Sequence, residues 1–171
     1  MKIFDSEFKE IFSSQIISLA GGVIAGIMLA VYTNKLLLIP GILILLPGFL
    51  EMRGNISGSF SSRITSGLFL GVIKPNKTTL HLLKGNLIAS FILATIVSLV
   101  LGVIAFLFNY ITLGILTYKL ISLSLIAGII ANTIEIPMAL FATFYLFKKG
   151  HDPNNMMVPF MTSTGDIISI F

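Results

Sequence analysis

Three carboxylates stand where a strongly hydrophobic chain has least use for them: Glu51, Glu135 and Asp166. An ionised side chain within hydrocarbon costs about 3 kcal/mol or more, so such groups face a partner or a watery path. Asp166 has Thr162 four residues before it and Ser169 three after. On a helix those three share one face, and a wall of carboxylate and hydroxyl oxygens suits a hard cation. Glu135 follows Asn132 by one turn and lies two residues before Pro137. It reads equally as an ion ligand and as a group bonded across helices. Glu51 is expected to pair with Arg53, and Arg53 and Arg63 are the cations open to Asp166 as structural partners. Asn55, Ser59, Ser62 and Ser66 recur at helical spacing, with Gly54, Gly58, Ser61 and Thr65 on the adjoining stripe. The result is a small, oxygen-bearing helix face, of the kind that glues helices together in lipid or lines a route between them.

Other chemistries are excluded by what the chain lacks. It has no cysteine, so neither disulfides nor thiolate metal sites form, and its two histidines, His81 and His151, fall in or beside expected loops. No Ser–His–Asp set, HExxH pair or phosphate-cradling glycine loop can be assembled. The chain therefore reads as a non-enzyme without a resident cofactor.

The elements that must position these residues follow from composition. Of 171 residues, 56% are apolar and 11% charged, with a mean hydropathy of +1.01. A soluble domain this small cannot hide that much apolar surface, whereas a bilayer needs no polar shell. The formal charge of +4 is carried by cations flanking hydrophobic runs, as at membrane boundaries and unlike a nucleic-acid surface. An all-α polytopic membrane protein of about five spans results. Residues 1–10 form a cytosolic lead-in, and residues 11–171 form the membrane domain.

The expected spans are 11–32, a long discontinuous second element over 36–72 broken around Pro40, Gly41, Pro47 and Gly48, then 87–108, 120–147 and a short last segment over 156–171. That last segment supplies about 24 Å of helix against a core of about 30 Å, so the expectation is a last helix that ends inside a span, either truncated there or entering only partway. Gly22 and Gly26 have the spacing for close helix packing within the chain. Lys74, Pro75, Asn76 and Lys77 form a loop. Tyr110, Tyr118 and Tyr145 suit the membrane interface. With the N-terminus in the cytoplasm, Lys2, Lys9, Lys74, Lys77, Lys84, Lys148 and Lys149 lie inside, and only Lys35 and Lys119 lie outside.

Two separated blocks carry a family resemblance. The first runs from Pro47-Gly48 through Arg53-Gly54-Asn55-Ile56-Ser57-Gly58 to Arg63 and Gly67–Gly71. The second comprises Asp152-Pro153-Asn154-Asn155, Val158-Pro159 and Thr162-Ser163-Thr164-Gly165-Asp166. In this order the blocks resemble the signatures of the MgtE and solute carrier family 41 cation transporters, over residues 36–171. The resemblance implies a five-helix transport domain that pairs with a second copy and passes magnesium, or another divalent cation, along the interface. It assigns Asp166 to the family's pore carboxylate and Gly54 and Asn55 to the lining, with Asp152 and Pro153 in a structural loop. Arg53 departs from the pattern, standing where a small residue is common. The expected metal-facing set is Asp166, Asn55, Gly54, Thr162 and Glu135. The partners are a divalent cation, a second copy and the cell-membrane bilayer, with no nucleic acid. The alternatives are a sodium- or proton-coupled exchanger, in which Glu135 titrates, and a non-transporting membrane scaffold.

Overall fold

The computed structural model describes residues 5–74 and 80–170, and all the regular elements among them are helices. They are α1 (Ser6–Leu36), α2 (Ile42–Phe69), α3 (Leu80–Leu113), α4 (Lys119–Lys148) and α5 (Pro153–Ile170). Three of them, α1, α3 and α4, are long and apolar enough to cross a membrane by themselves. The protein is a helical, polytopic membrane protein. Its exposed faces on α1 and α3 carry Ile, Leu, Val and Phe, among them Leu19, Val31, Ile88 and Ile104. In lipid these faces need no cover.

Local chemistry sets the helix ends. Asp5 caps α1, its Oδ1 accepting from the Phe8 amide at 2.9 Å, which satisfies one of the free N-terminal donors. The helix therefore begins inside the expected lead-in and continues unbroken into the span. The expected break in 36–72 lies at the turn between α1 and α2, where Gly41 adopts φ +82° against the Asn109 side chain. Only glycine takes that conformation there without strain. Leu36 closes α1, and α2 runs through Pro47 without interruption. Proline within a membrane helix is tolerated where neighbouring helices support it, and Gly48 beside it packs on Leu101 of α3. Of the expected loop at 74–77, residues 75–77 lie outside the described residues, as do Lys2 and Phe171.

Helices adjacent in sequence run antiparallel, and α2 lies at the centre, against α3, α4 and α5. Its buried face supplies Phe60, Ile64 and Leu68 to a core with Ile136, Ala139, Met157 and Met161. Small residues permit close approaches. A Cβ added to Gly102 would lie 2.9 Å from Ile121 Cα, and one on Gly128 would collide with Ser98, so α3 and α4 are nearly in backbone contact. Ser124 Oγ bonds the Ser98 carbonyl at 2.7 Å across the same seam. Gly21 of α1 meets Ser163 of α5 in the same manner, whereas Gly22 and Gly26 have nothing within 4 Å. The expected packing role thus falls one residue earlier than the Gly22/Gly26 pair.

Helix α1 packs chiefly on α5, in parallel. Ser14 Oγ donates to the Asn155 carbonyl at 3.0 Å, and Glu10 lies 2.8 Å from His151 Nδ1 and accepts from Asn155 Nδ2 at 3.2 Å.

Replacing Gly102 with valine should force α3 and α4 apart and destabilise the fold by about 1–3 kcal/mol. Thermal melting of the detergent-solubilised protein reads this out, with Gly26→Val as the control that leaves the melting temperature unchanged.

Candidate functional site

The two faces of α2 do different things. Two residues along a helix rotate the side chain by about 200°, so Glu51 and Arg53 cannot face one another. Arg53 turns inward and is 1% exposed, and there it forms an ion pair with Glu135 of α4, itself 0% exposed. Arg53 Nε donates to Glu135 Oε1 at 2.9 Å, and the guanidinium lies over the Phe49 ring at 5.6 Å. Ser57 Oγ donates to the Arg53 carbonyl at 2.7 Å, and Ser61 shares a 2.6 Å hydrogen bond with Thr143 of α4. This inner row clamps α2 to α4 in parallel. A buried pair of this kind is strongly destabilising when one member is removed, by about 3–5 kcal/mol.

The neighbouring stripe of α2 touches α5. A Cβ on Gly54 would lie 2.9 Å from Thr162 Oγ1, and one on Gly58 would lie 3.4 Å from Val158. Antiparallel packing at that range needs glycine, which explains two of the small residues. Farther along α5, a Cβ on Gly165 would come within 3.0 Å of Glu135 Oε1. The buried pair therefore lies against the residue immediately before Asp166.

The outer stripe of α2 is Glu51, Asn55, Ser59, Ser62 and Ser66, all exposed, unlike the apolar exposed faces of α1 and α3. Asn55 Nδ2 donates to Glu51 Oε1 at 3.0 Å. Arg63 also points outward, held by Ser59 at 2.8 Å, Asn86 at 3.1 Å and Ser90 at 2.7 Å, the last two on α3. Asp166 is half-buried beside this stripe, within electrostatic reach of Glu51. Among the described residues it has no hydrogen-bond or ion-pair partner. Neither arginine neutralises it.

The structure thus brings Gly54, Thr162 and Asp166 together along the α2–α5 seam. It places Asn55 with Glu51 on the exposed face and sets Glu135 behind that face, against Arg53. The oxygens available to a cation are those of Asp166, Glu51 and Asn55, with Thr162 Oγ1 already donating to the Val158 carbonyl at 3.0 Å. Among the described residues, no three acidic or histidine side chains gather into a cluster able to hold a metal within one chain.

Sequence reasoning missed the partner of Arg53. The signal was present in phase: Arg53 shares the row of Ser57, Phe60 and Ile64, the buried side of α2, and not that of Asn55 and Ser59. It also missed the Glu10–His151 contact, for which pattern offers no cue.

A profile of the MgtE divalent cation transporters matches residues 46–171, which takes in α2 from its second turn to the end of α5. The chain belongs to that family. It is also similar to solute carrier family 41 member 2 of Gallus gallus, at 26% identity over 133 residues, and of Homo sapiens, at 24% over 137. Each match covers 75% of this chain and 23% of the relative, so the chain spans about a quarter of the length of these curated proteins. No solved structure matches. Within this MgtE chain, the two sequence blocks that carry the likeness are the two surfaces that meet at Gly54–Thr162 and Gly58–Val158.

Whether the outer stripe faces water is directly measurable, because a chain without cysteine gives clean single-cysteine variants. Ser59→Cys and Ser62→Cys, in membranes, should react with a charged methanethiosulfonate at least tenfold faster than Ser57→Cys or Ser61→Cys. Equal, slow labelling at all four positions would mean that the stripe is sealed from water.

Proposed function

We propose that this MgtE-family chain moves a divalent cation, Mg²⁺ first among them, along a path formed where the α2–α5 surfaces of two copies meet. The observation that carries this reading is the exposed polar stripe of α2 beside an unpaired Asp166. In a chain whose exposed faces on α1 and α3 are mostly apolar, a row of carboxylate, amide and hydroxyl groups facing lipid would forfeit its hydration. A second copy related by two-fold symmetry would cover the row with its own equivalent. The enclosed volume would then be lined by oxygen on both sides.

The charges suit a dication. Within one chain Arg53 and Glu135 cancel, leaving Asp166 and Glu51 as the acids near the seam. Two copies bring two Asp166 carboxylates to one ion, enough to balance Mg²⁺. Magnesium releases its water reluctantly and is commonly bound through one or two carboxylates with several waters kept. Asp166 would anchor the hydrated ion, Asn55 and Thr162 would contact its water shell, and Gly54 would keep α5 close enough to present both. In this arrangement Glu135 acts from behind the path.

The orientation that fits is the N-terminus in the cytoplasm. Lys9, Lys84, Lys148 and Lys149 lie at the end of the bundle shared by the starts of α1 and α3 and the end of α4, whereas Lys35 and Lys119 lie at the other. The basic excess belongs on the inner side.

Uptake of Mg²⁺ into liposomes carrying the purified protein and a magnesium-sensitive dye tests the reading. Wild-type protein should load the vesicles without a sodium or pH gradient, and Asp166→Asn should lower the initial rate at least tenfold. Unchanged uptake by Asp166→Asn would remove the carboxylate from the path, and flux that requires a sodium or proton gradient would replace the channel with an exchanger.

A further inference from the structure

The proposed path is a cation route with an arginine one residue away from its lining, an arrangement that by itself opposes the traffic. Arg53 immediately precedes Gly54, which touches Thr162 one turn before Asp166. Glu135, the partner of Arg53, is the group pressed against Gly165, and it lies within electrostatic reach of Asp166. Three charged side chains from three helices therefore converge on one point of α5.

The pair itself is lopsided. Arg53 Nε donates to Glu135 Oε1 and Nη2 makes an ion-pair contact with the same oxygen, while Arg53 Nη1 and Nη2 and Glu135 Oε2 have no hydrogen-bond partner among the described residues. The guanidinium thus keeps donors in reserve, and the Glu135 oxygen it contacts lies against Gly165, the residue before Asp166, whose carboxylate has no partner among the described residues. Arginine forks bind carboxylates in preference to neutral groups. Without Glu135, the attraction that remains draws Arg53 to Asp166.

We infer that Glu135 is a positioning residue for cation binding: by holding Arg53 inward, it leaves the Asp166 carboxylate unneutralised and available to the ion. This rests on the transport reading above. The alternative role for the same pair is a purely structural clamp between α2 and α4. The two differ in sign. A clamp loses as much from Arg53→Gln as from Glu135→Gln, whereas a positioning pair does not. Glu135→Gln frees a cation to occupy Asp166, while Arg53→Gln removes the competitor and leaves an extra carboxylate close by.

The test is the Mg²⁺ concentration for half-maximal uptake, measured in liposomes for variants that elute as the wild type does on size exclusion. Glu135→Gln should raise it at least tenfold, and Arg53→Gln should leave it unchanged or lower it. The double variant Arg53→Gln with Glu135→Gln should return it to within about threefold of wild type. Equal increases in both single variants, or no increase in Glu135→Gln, would overturn the inference. If Glu135→Gln does not fold, Arg53→Gln and the double variant decide: a wild-type or lower value supports the assignment, and a tenfold rise in either refutes it. Asp166→Asn, run alongside, separates the two levels of argument. Lost uptake there with an unaffected Glu135→Gln sinks only the positioning role, and retained uptake there sinks the path itself.

Discussion

Hydrocarbon offers no hydrogen-bond partner, and α2 is the helix on which that constraint falls hardest. It carries two arginines, a glutamate, an asparagine and a run of hydroxyls within about five turns. Its inner polar groups are matched by other helices, Arg53 by Glu135 and Ser61 by Thr143, and the outward Arg63 is held by Asn86 and Ser90 of α3. Thr65 and Ser66 fall back on carbonyls of their own helix, at 2.9 and 3.0 Å. The bundle is arranged so that each neighbour supplies α2 with something lipid cannot. This explains how a helix with three charged side chains can occupy the centre of the bundle.

The second organising feature is the closeness of α2 and α5. Glycines at 54 and 58 let the α5 backbone approach until Thr162 and Val158 fill the space a side chain would take. Such contact has a geometric benefit beyond dispersion. It fixes the height of α5 relative to α2, and with it the height of Asp166 relative to Glu51 and Asn55. Gly165 serves the same end on the opposite side, admitting Glu135 from α4. The helices that carry the charged groups are thus held close at glycines, which preserves the relative placement of those groups.

Much of this was legible in the residue pattern, for definable reasons. Hydropathy located α1, α3 and α4, because a lipid-facing helix is apolar on most sides. The polar stripe at Asn55, Ser59, Ser62 and Ser66 was visible because helical periodicity survives in a membrane as it does in water. Pairings were much less legible. Glu51 next to Arg53 suggested a local bond, yet helix rotation separates them, and the true partner lies 82 residues away on α4. The prolines suggested a broken helix, but Pro47 is absorbed by its neighbours and the chain turns at Gly41, where a positive φ is needed. Gly21 rather than Gly22 makes the close contact, because rotational phase depends on a partner whose position local periodicity does not encode.

Helix α1 stands apart from this economy. Its 31 residues give a rod of about 46 Å, well beyond the hydrocarbon thickness of about 30 Å. It leans chiefly on α5, through Ser14–Asn155 near one end and Gly21–Ser163 farther along. A rod longer than its slab tilts, and the angle follows the acyl chains around it. Since α1 packs chiefly on the helix bearing Asp166, any change in its tilt has to be absorbed first along the α1–α5 contact.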